Sequence, residues 1–151
     1  MHEPRYIQYL NLPTLPNELI SRINRNFEEY QKQPGKVYNT DTYWWSDSFN
    51  EEVNQWCQQN ICAEMYFGFQ AVVGDMQLHT DQVTTIKINY ILNCGGSNVL
   101  TEFFDESHTH KLASYCIEPN RWHIFKANSP HQVFNIEPGQ TRFAITGRIF
   151  S

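Results

Sequence analysis

The sequence predicts a mainly β protein, an antiparallel jelly roll with two amino-terminal α-helices packed outside it. Three observations carry this. From residue 65 onward, short runs rich in Val, Ile, Thr, Phe and Tyr alternate with Gly, Asn, Asp and Pro turns. No helical periodicity falls between those runs, which excludes a βαβ arrangement. Both helical patterns lie before residue 64, so the chain reads as a helical front (1–64) supporting a strand-rich core (65–151) in one domain, a size that 151 residues suit.

In the stretch "PTLPNELISRINRNFEEY", Leu15, Leu19, Ile20, Ile23 and Phe27 recur at three- and four-residue steps. That spacing predicts one amphipathic helix, with Pro16 in its first turn and "QPGK" ending it. The segment "VYNTDTYWWSD" reads as a loop whose Trp44 and Trp45 cap the barrel or line its entrance. Ser48 and Glu51 stand in capping-box spacing ahead of Val53, Trp56, Cys57 and Ile61, which predicts the second helix. Strands are expected over 65–73, 77–81, 84–93, 99–104, 112–117, 121–126, 131–136 and 141–150.

Composition narrows the function classes. Hydrophobic residues make up 40% and aromatics 15%, enough apolar surface to offset the entropy of ordering the chain. The net charge is −5 and the Lys and Arg residues are scattered, so the basic stripe that tracks a phosphate backbone is missing and nucleic acid is a poor partner. Neither a signal-like start nor an apolar run of membrane-spanning length occurs, and the expected location is the cytoplasm. Cys57, Cys62, Cys94 and Cys116 lack ribbon or redox spacing and are expected to be reduced, mostly buried thiols.

The chemistry-bearing stretch is "LHTDQ". Alternation along a strand turns His79 and Asp81 the same way, side by side, as two adjacent metal ligands. A third must come from elsewhere. His108 and His110 sit in the polar turn "DESHTHK", and His123 lies among Trp122, Ile124 and Phe125, where packing is the expected role. His131 follows Pro130 at the mouth of a strand, where a ligand is both accessible and held. Two imidazoles and one carboxylate make the donor set that leaves open positions on a non-heme iron.

The last strand, "TRFAITGRIF", is patterned the wrong way round for an ordinary core. Arg142, Ala144, Thr146 and Arg148 share one face and Phe143, Ile145 and Ile149 the other, so two guanidinium groups point to the presumed interior. Buried arginine needs an anionic partner, and a ligand can supply it; the alternative is a cross-strand ion pair at the surface.

With "HTD", "PHQV" and "TRFAIT" in this order, residues 65–150 resemble the Fe(II)- and 2-oxoglutarate-dependent dioxygenases, in particular the prolyl-hydroxylase-like branch. The resemblance implies a double-stranded β-helix in which His79, Asp81 and His131 bind Fe(II). It implies that Arg142 pairs with the distal carboxylate of the cosubstrate 2-oxoglutarate, supported by Thr146. It implies hydroxylation of a small molecule, an amino acid or a peptide side chain with O2, releasing succinate and CO2. Where relatives place a cosubstrate-binding tyrosine, this chain has Ile91; Tyr90 points away, leaving Asn89, or Gln70, to stand in. Arg148, six residues beyond Arg142, is assigned to the substrate and favours an anionic one. Two other readings keep the same fold: a cupin-type metal protein that does not use 2-oxoglutarate, and a jelly-roll interaction module with incidental histidines.

Overall fold

The computed structural model describes residues 6–31, 36–38, 43–47, 50–81 and 86–148, with backbone alone for those between 30 and 49. The eight expected strands form β4 (Tyr66–Val73), β5 (Met76–His79), β6 (Ile86–Asn93), β7 (Leu100–Phe104), β8 (Lys111–Tyr115), β9 (Trp122–Lys126), β10 (His131–Phe134) and β11 (Arg142–Arg148). Preceding them are β1 (Ile7–Tyr9), α1 (Asn17–Arg25), α2 (Phe27–Gln31), β2 (Lys36–Tyr38), β3 (Tyr43–Asp47) and α3 (Glu51–Asn60). Two antiparallel sheets result, in the orders β1-β9-β6-β11-β4-β3-β2 and β5-β10-β7-β8. The chain passes repeatedly between the sheets, which makes β4 to β11 a double-stranded β-helix, the jelly roll the sequence predicts.

The two faces of the large sheet follow strand alternation. One face presents Phe67, Phe69 and Ala71 of β4, Ile88 and Tyr90 of β6, Trp122 and Ile124 of β9, and Phe143 and Ile145 of β11. These share a core with Leu19 and Ile23 of α1 and Val53 and Cys57 of α3. Removing each Val, Leu, Ile or Phe side chain of this set from water contributes about 1.5–3 kcal/mol before entropy is counted. The opposite face looks toward the small sheet, and there the polar residues lie.

Several elements differ from expectation. The front helix is broken at Asn26, which closes α1 with φ −98° and ψ 6° before α2 begins. Pro16 caps α1 rather than entering it, a position where its missing N–H costs nothing. The cap of α3 is Asn50, whose side chain accepts from the Val53 N–H at 3.2 Å; Ser48 lies outside the described residues. The expected loop carries the hairpin β2–β3, and β3 pairs with β4, because the free edge of β4 offers a ladder to the β-forming residues there. The side chains of Trp44 and Trp45 lie outside the description. β1, unforeseen, pairs with β9 and extends the other edge of the sheet. All four cysteines are free thiols, but only Cys57 is buried and Cys116 is exposed, so "mostly buried" is corrected. Among the described residues no helix is long and apolar enough to cross a membrane.

Candidate metal centre

His79 closes β5 and His131 opens β10, and the two are direct partners in the antiparallel register. Asp81 lies just past the end of β5 rather than inside the expected strand 77–81. Its backbone N–H donates to the Ala127 carbonyl at 3.1 Å, tying it to the turn that leads to His131. The ligand-type atoms of His79, Asp81 and His131 all lie within 4.8 Å of one another. Asp81 Oδ1 is 3.3 Å from His79 Nε2 and 3.7 Å from His131 Nε2.

Both imidazoles are oriented from behind in the same way. His79 Nδ1 donates to the Gln77 carbonyl at 2.7 Å and His131 Nδ1 to the Ser129 carbonyl at 2.6 Å. A carbonyl only accepts, so each Nδ1 carries a proton and Nε2 is the ring nitrogen turned toward Asp81. Such backing of the second ring nitrogen is how metal-binding histidines are held.

The electrostatics keep the carboxylate charged. For Asp81, burial opposes ionisation, but the hydrogen bond from His79 and the charge of Lys87 outweigh it and hold the group well below the usual carboxylate range. At His79 burial works against protonation, yet the contacts with Asp81 and the Gln77 carbonyl raise its pKa. His131 is pushed down to about 4 by burial and then by the charge of His79.

Beside the triad runs a cavity lined by His79, His131, Lys87, Asn89, Thr101 and Arg142, with apolar Val72, Ile91, Phe125 and Val133 completing its wall. Arg142 reaches across the sandwich, its Nη2 donating to Thr101 Oγ1 of the small sheet at 3.1 Å. Among the described residues no carboxylate forms an ion pair with it. Asn89 and Thr146 are register partners across β6 and β11, and Asn89 Oδ1 and Thr146 Oγ1 are both buried without a hydrogen-bond partner. Such orphans are costly in a native fold unless something fills the gap. Ile91 and Gln70 line the cavity while Tyr90 packs in the helix-covered core, as alternation requires.

Arg148, at the far end of β11, does not line this cavity. Burial lowers its pKa, and the Asp81 carboxylate partly offsets that, so it stands on the triad side of the strand. His108 takes φ 62° and His110 is hydrogen-bonded to Asp105 in an exposed turn, and neither lines the cavity. Two further residues border the site. His123 is packed as expected and lies outside the triad, but its ring faces the cavity, where burial pushes it down to about 4. Lys87 holds Asp81 Oδ2 at 2.5 Å. The alternation of "TTIKINYILN" carries the signal for Lys87, since it shares a face with Asn89 and Ile91.

The fold has solved counterparts. SnoK, a non-heme α-ketoglutarate-dependent carbocyclase from nogalamycin biosynthesis, superposes with a TM-score of 0.63 at 10% identity over 95% of this chain and 79% of that one. A prolyl hydroxylase from Trichoplax adhaerens, solved with a hypoxia inducible factor peptide fragment, gives 0.60 at 14% identity over 95% and 83%. A Pseudomonas putida prolyl-4-hydroxylase gives 0.57 at 14% identity over 97% and 94%. The fold is that of the non-heme 2-oxoglutarate-dependent oxygenases. No family model matches the sequence and no curated protein matches it. The donor set of two imidazole nitrogens and one carboxylate oxygen suits iron(II), and a guanidinium in the same cavity with no carboxylate partner among the described residues suits an anionic ligand.

Proposed function

We propose that the protein is an Fe(II)- and 2-oxoglutarate-dependent oxygenase that hydroxylates a small molecule, an amino acid or a peptide side chain, with succinate and CO2 as co-products. The observation that carries this is a pairing. Two backed imidazoles converge on one carboxylate oxygen, beside a cavity that holds an arginine with no acidic partner among the described residues.

Iron, with 2-oxoglutarate and O2, supplies the oxidising chemistry when bound; the chain's residues bind, orient and shield. His79, Asp81 and His131 would hold the metal and leave positions free for other ligands. Arg142 would take the distal carboxylate of 2-oxoglutarate, for which its planar, permanently charged fork is suited. Thr146, on the same face of β11 but outside the cavity lining, would support the cosubstrate. Asn89 lines the cavity and would stand in as a further cosubstrate contact, its amide presenting a donor after a flip. Val72, Ile91, Phe125 and Val133 keep water from the reacting centre. Arg148, beyond the triad, is assigned to the substrate and favours an anionic one.

A cupin-type metal protein without 2-oxoglutarate leaves Arg142 unexplained, and a non-catalytic module leaves the backed histidines unexplained. The deciding experiment is anaerobic binding of Fe(II) and 2-oxoglutarate to the full chain, followed by succinate release on adding O2, with and without candidate amino acids, peptides and small acids. Binding followed by succinate formation is expected. Iron binding with no effect of 2-oxoglutarate would refute the cosubstrate assignment.

A further inference from the structure

Lys87 stands on β6 opposite Phe125 of β9, and is only 8% exposed. A buried ammonium needs a partner, and it has one in Asp81. The two oxygens of that carboxylate are divided between different neighbours. Oδ2 is held by Lys87 Nζ at 2.5 Å, whereas Oδ1 is the oxygen facing both imidazole Nε2 atoms.

We propose that Lys87 is a positioning residue that makes Asp81 a one-oxygen ligand, engaging Oδ2 so that only Oδ1 is presented to the metal. This rests on reading His79, Asp81 and His131 as the iron site. A carboxylate can ligate through one oxygen or both. In a site of three protein donors, a second oxygen would fill a position that the cosubstrate or O2 requires. The Asp81 backbone is fixed by its bond to the Ala127 carbonyl, but that bond leaves the carboxylate free to turn. Lys87 removes that freedom. Metal affinity alone does not account for a lysine here, since a cation beside a metal site repels the metal.

The test uses Co(II) as a spectroscopic stand-in for iron, with 2-oxoglutarate titrated afterwards. Lys87→Met keeps most of the length of the side chain and loses its charge. It is expected to bind Co(II) at least as tightly as the native chain and to show an altered d–d absorption spectrum. Its affinity for 2-oxoglutarate in the Co(II)-loaded form should fall by about 10-fold, the scale typical of losing an outer-shell partner. Lys87→Arg, which keeps an N–H donor to Oδ2, should restore the native spectrum. If Lys87→Met does not fold, Lys87→Ala carries the same comparison. A native spectrum and native 2-oxoglutarate affinity in the charge-free variant overturn the proposal, as does loss of Co(II) binding on the scale of Asp81→Ala. Absence of Co(II) binding by the native chain overturns the iron-site reading itself, and this role with it.

Discussion

His79 and His131 lie directly opposite one another in the antiparallel pair of β5 and β10, their ring centroids 4.3 Å apart. They come from distant parts of the sequence, and one ladder of the small sheet delivers both. Each ring is tied to a carbonyl two residues earlier in the chain, so the position of β5 against β10 decides whether the Nε2 atoms converge.

Replacing His79, Asp81 or His131 by Ala therefore removes one of three convergent donors. Fe(II) or Mn(II) affinity, measured by anaerobic titration, should drop by more than the roughly 10–100-fold typical of losing an outer-shell partner. His108→Ala and His123→Ala should keep metal affinity, since neither belongs to the cluster. Full iron affinity in His131→Ala would remove it from the ligand set.

Arg142→Ala should leave iron bound and raise the 2-oxoglutarate requirement steeply. Losing one half of a desolvated charge pair costs on the order of 2–5 kcal/mol. Succinate formation against 2-oxoglutarate concentration reads this directly. An unchanged half-saturation point would favour the cupin reading.

Arg148→Ala separates the two arginines. Along β11 they are six residues apart, about 20 Å between Cα atoms at the usual rise per strand residue. The variant should bind iron and 2-oxoglutarate normally and lose substrate-dependent succinate formation. Weakening of 2-oxoglutarate binding to the same degree as Arg142→Ala would mean that the assignments are exchanged.

Gly147 sits where a Cβ would meet the Phe67 ring, with Cδ1 only 2.8 Å away. Phe67 is itself fully buried against Trp122. Gly147→Ala should therefore destabilise by about 1–3 kcal/mol through overpacking. The Phe67 N–H is satisfied by Asn54 Oδ1 of α3 at 2.8 Å, and Asn54→Ala should cost about 1–3 kcal/mol by orphaning it. Both act on Phe67, so the double variant should depart from additivity in denaturant unfolding.

His123 gives stability a pH dependence. Burial holds its folded pKa down to about 4, against about 6.5 in an unfolded chain. Between those values the unfolded state binds the extra proton, so the contribution is full above about pH 6.5 and is lost as pH falls toward 4. His131 behaves alike, so His123→Leu should flatten only part of the acid limb. Thermal unfolding midpoints from pH 7 to 4.5 would show it, and an unchanged slope would count against the buried neutral ring.

What was legible along the chain was whatever depends on periodicity. The two-residue alternation of "TRFAITGR" placed Arg142 and Ala144 toward the cavity and Phe143 and Ile145 toward the helices, and the structure agrees. The same alternation put Asn89 and Ile91 inward and Tyr90 outward. Alternation missed β3 because its pairing answers to a free edge on β4, a partner no local pattern announces. It also ran short at Asp81, which joins His79 from beyond the strand end through the hydrogen bond to Ala127.

The sequence by itself determined the jelly roll, the inward arginine and the histidine and aspartate residues that meet, because side-chain direction along a strand is a local property of the backbone. Only the tertiary structure decided which oxygen of Asp81 faces the imidazoles, that Lys87 takes the other, that His123 borders the cavity, and that Asn89 and Thr146 are left without partners. Those are relations between strands, fixed by register and by how the two sheets close on each other, and a single strand's pattern carries no record of them.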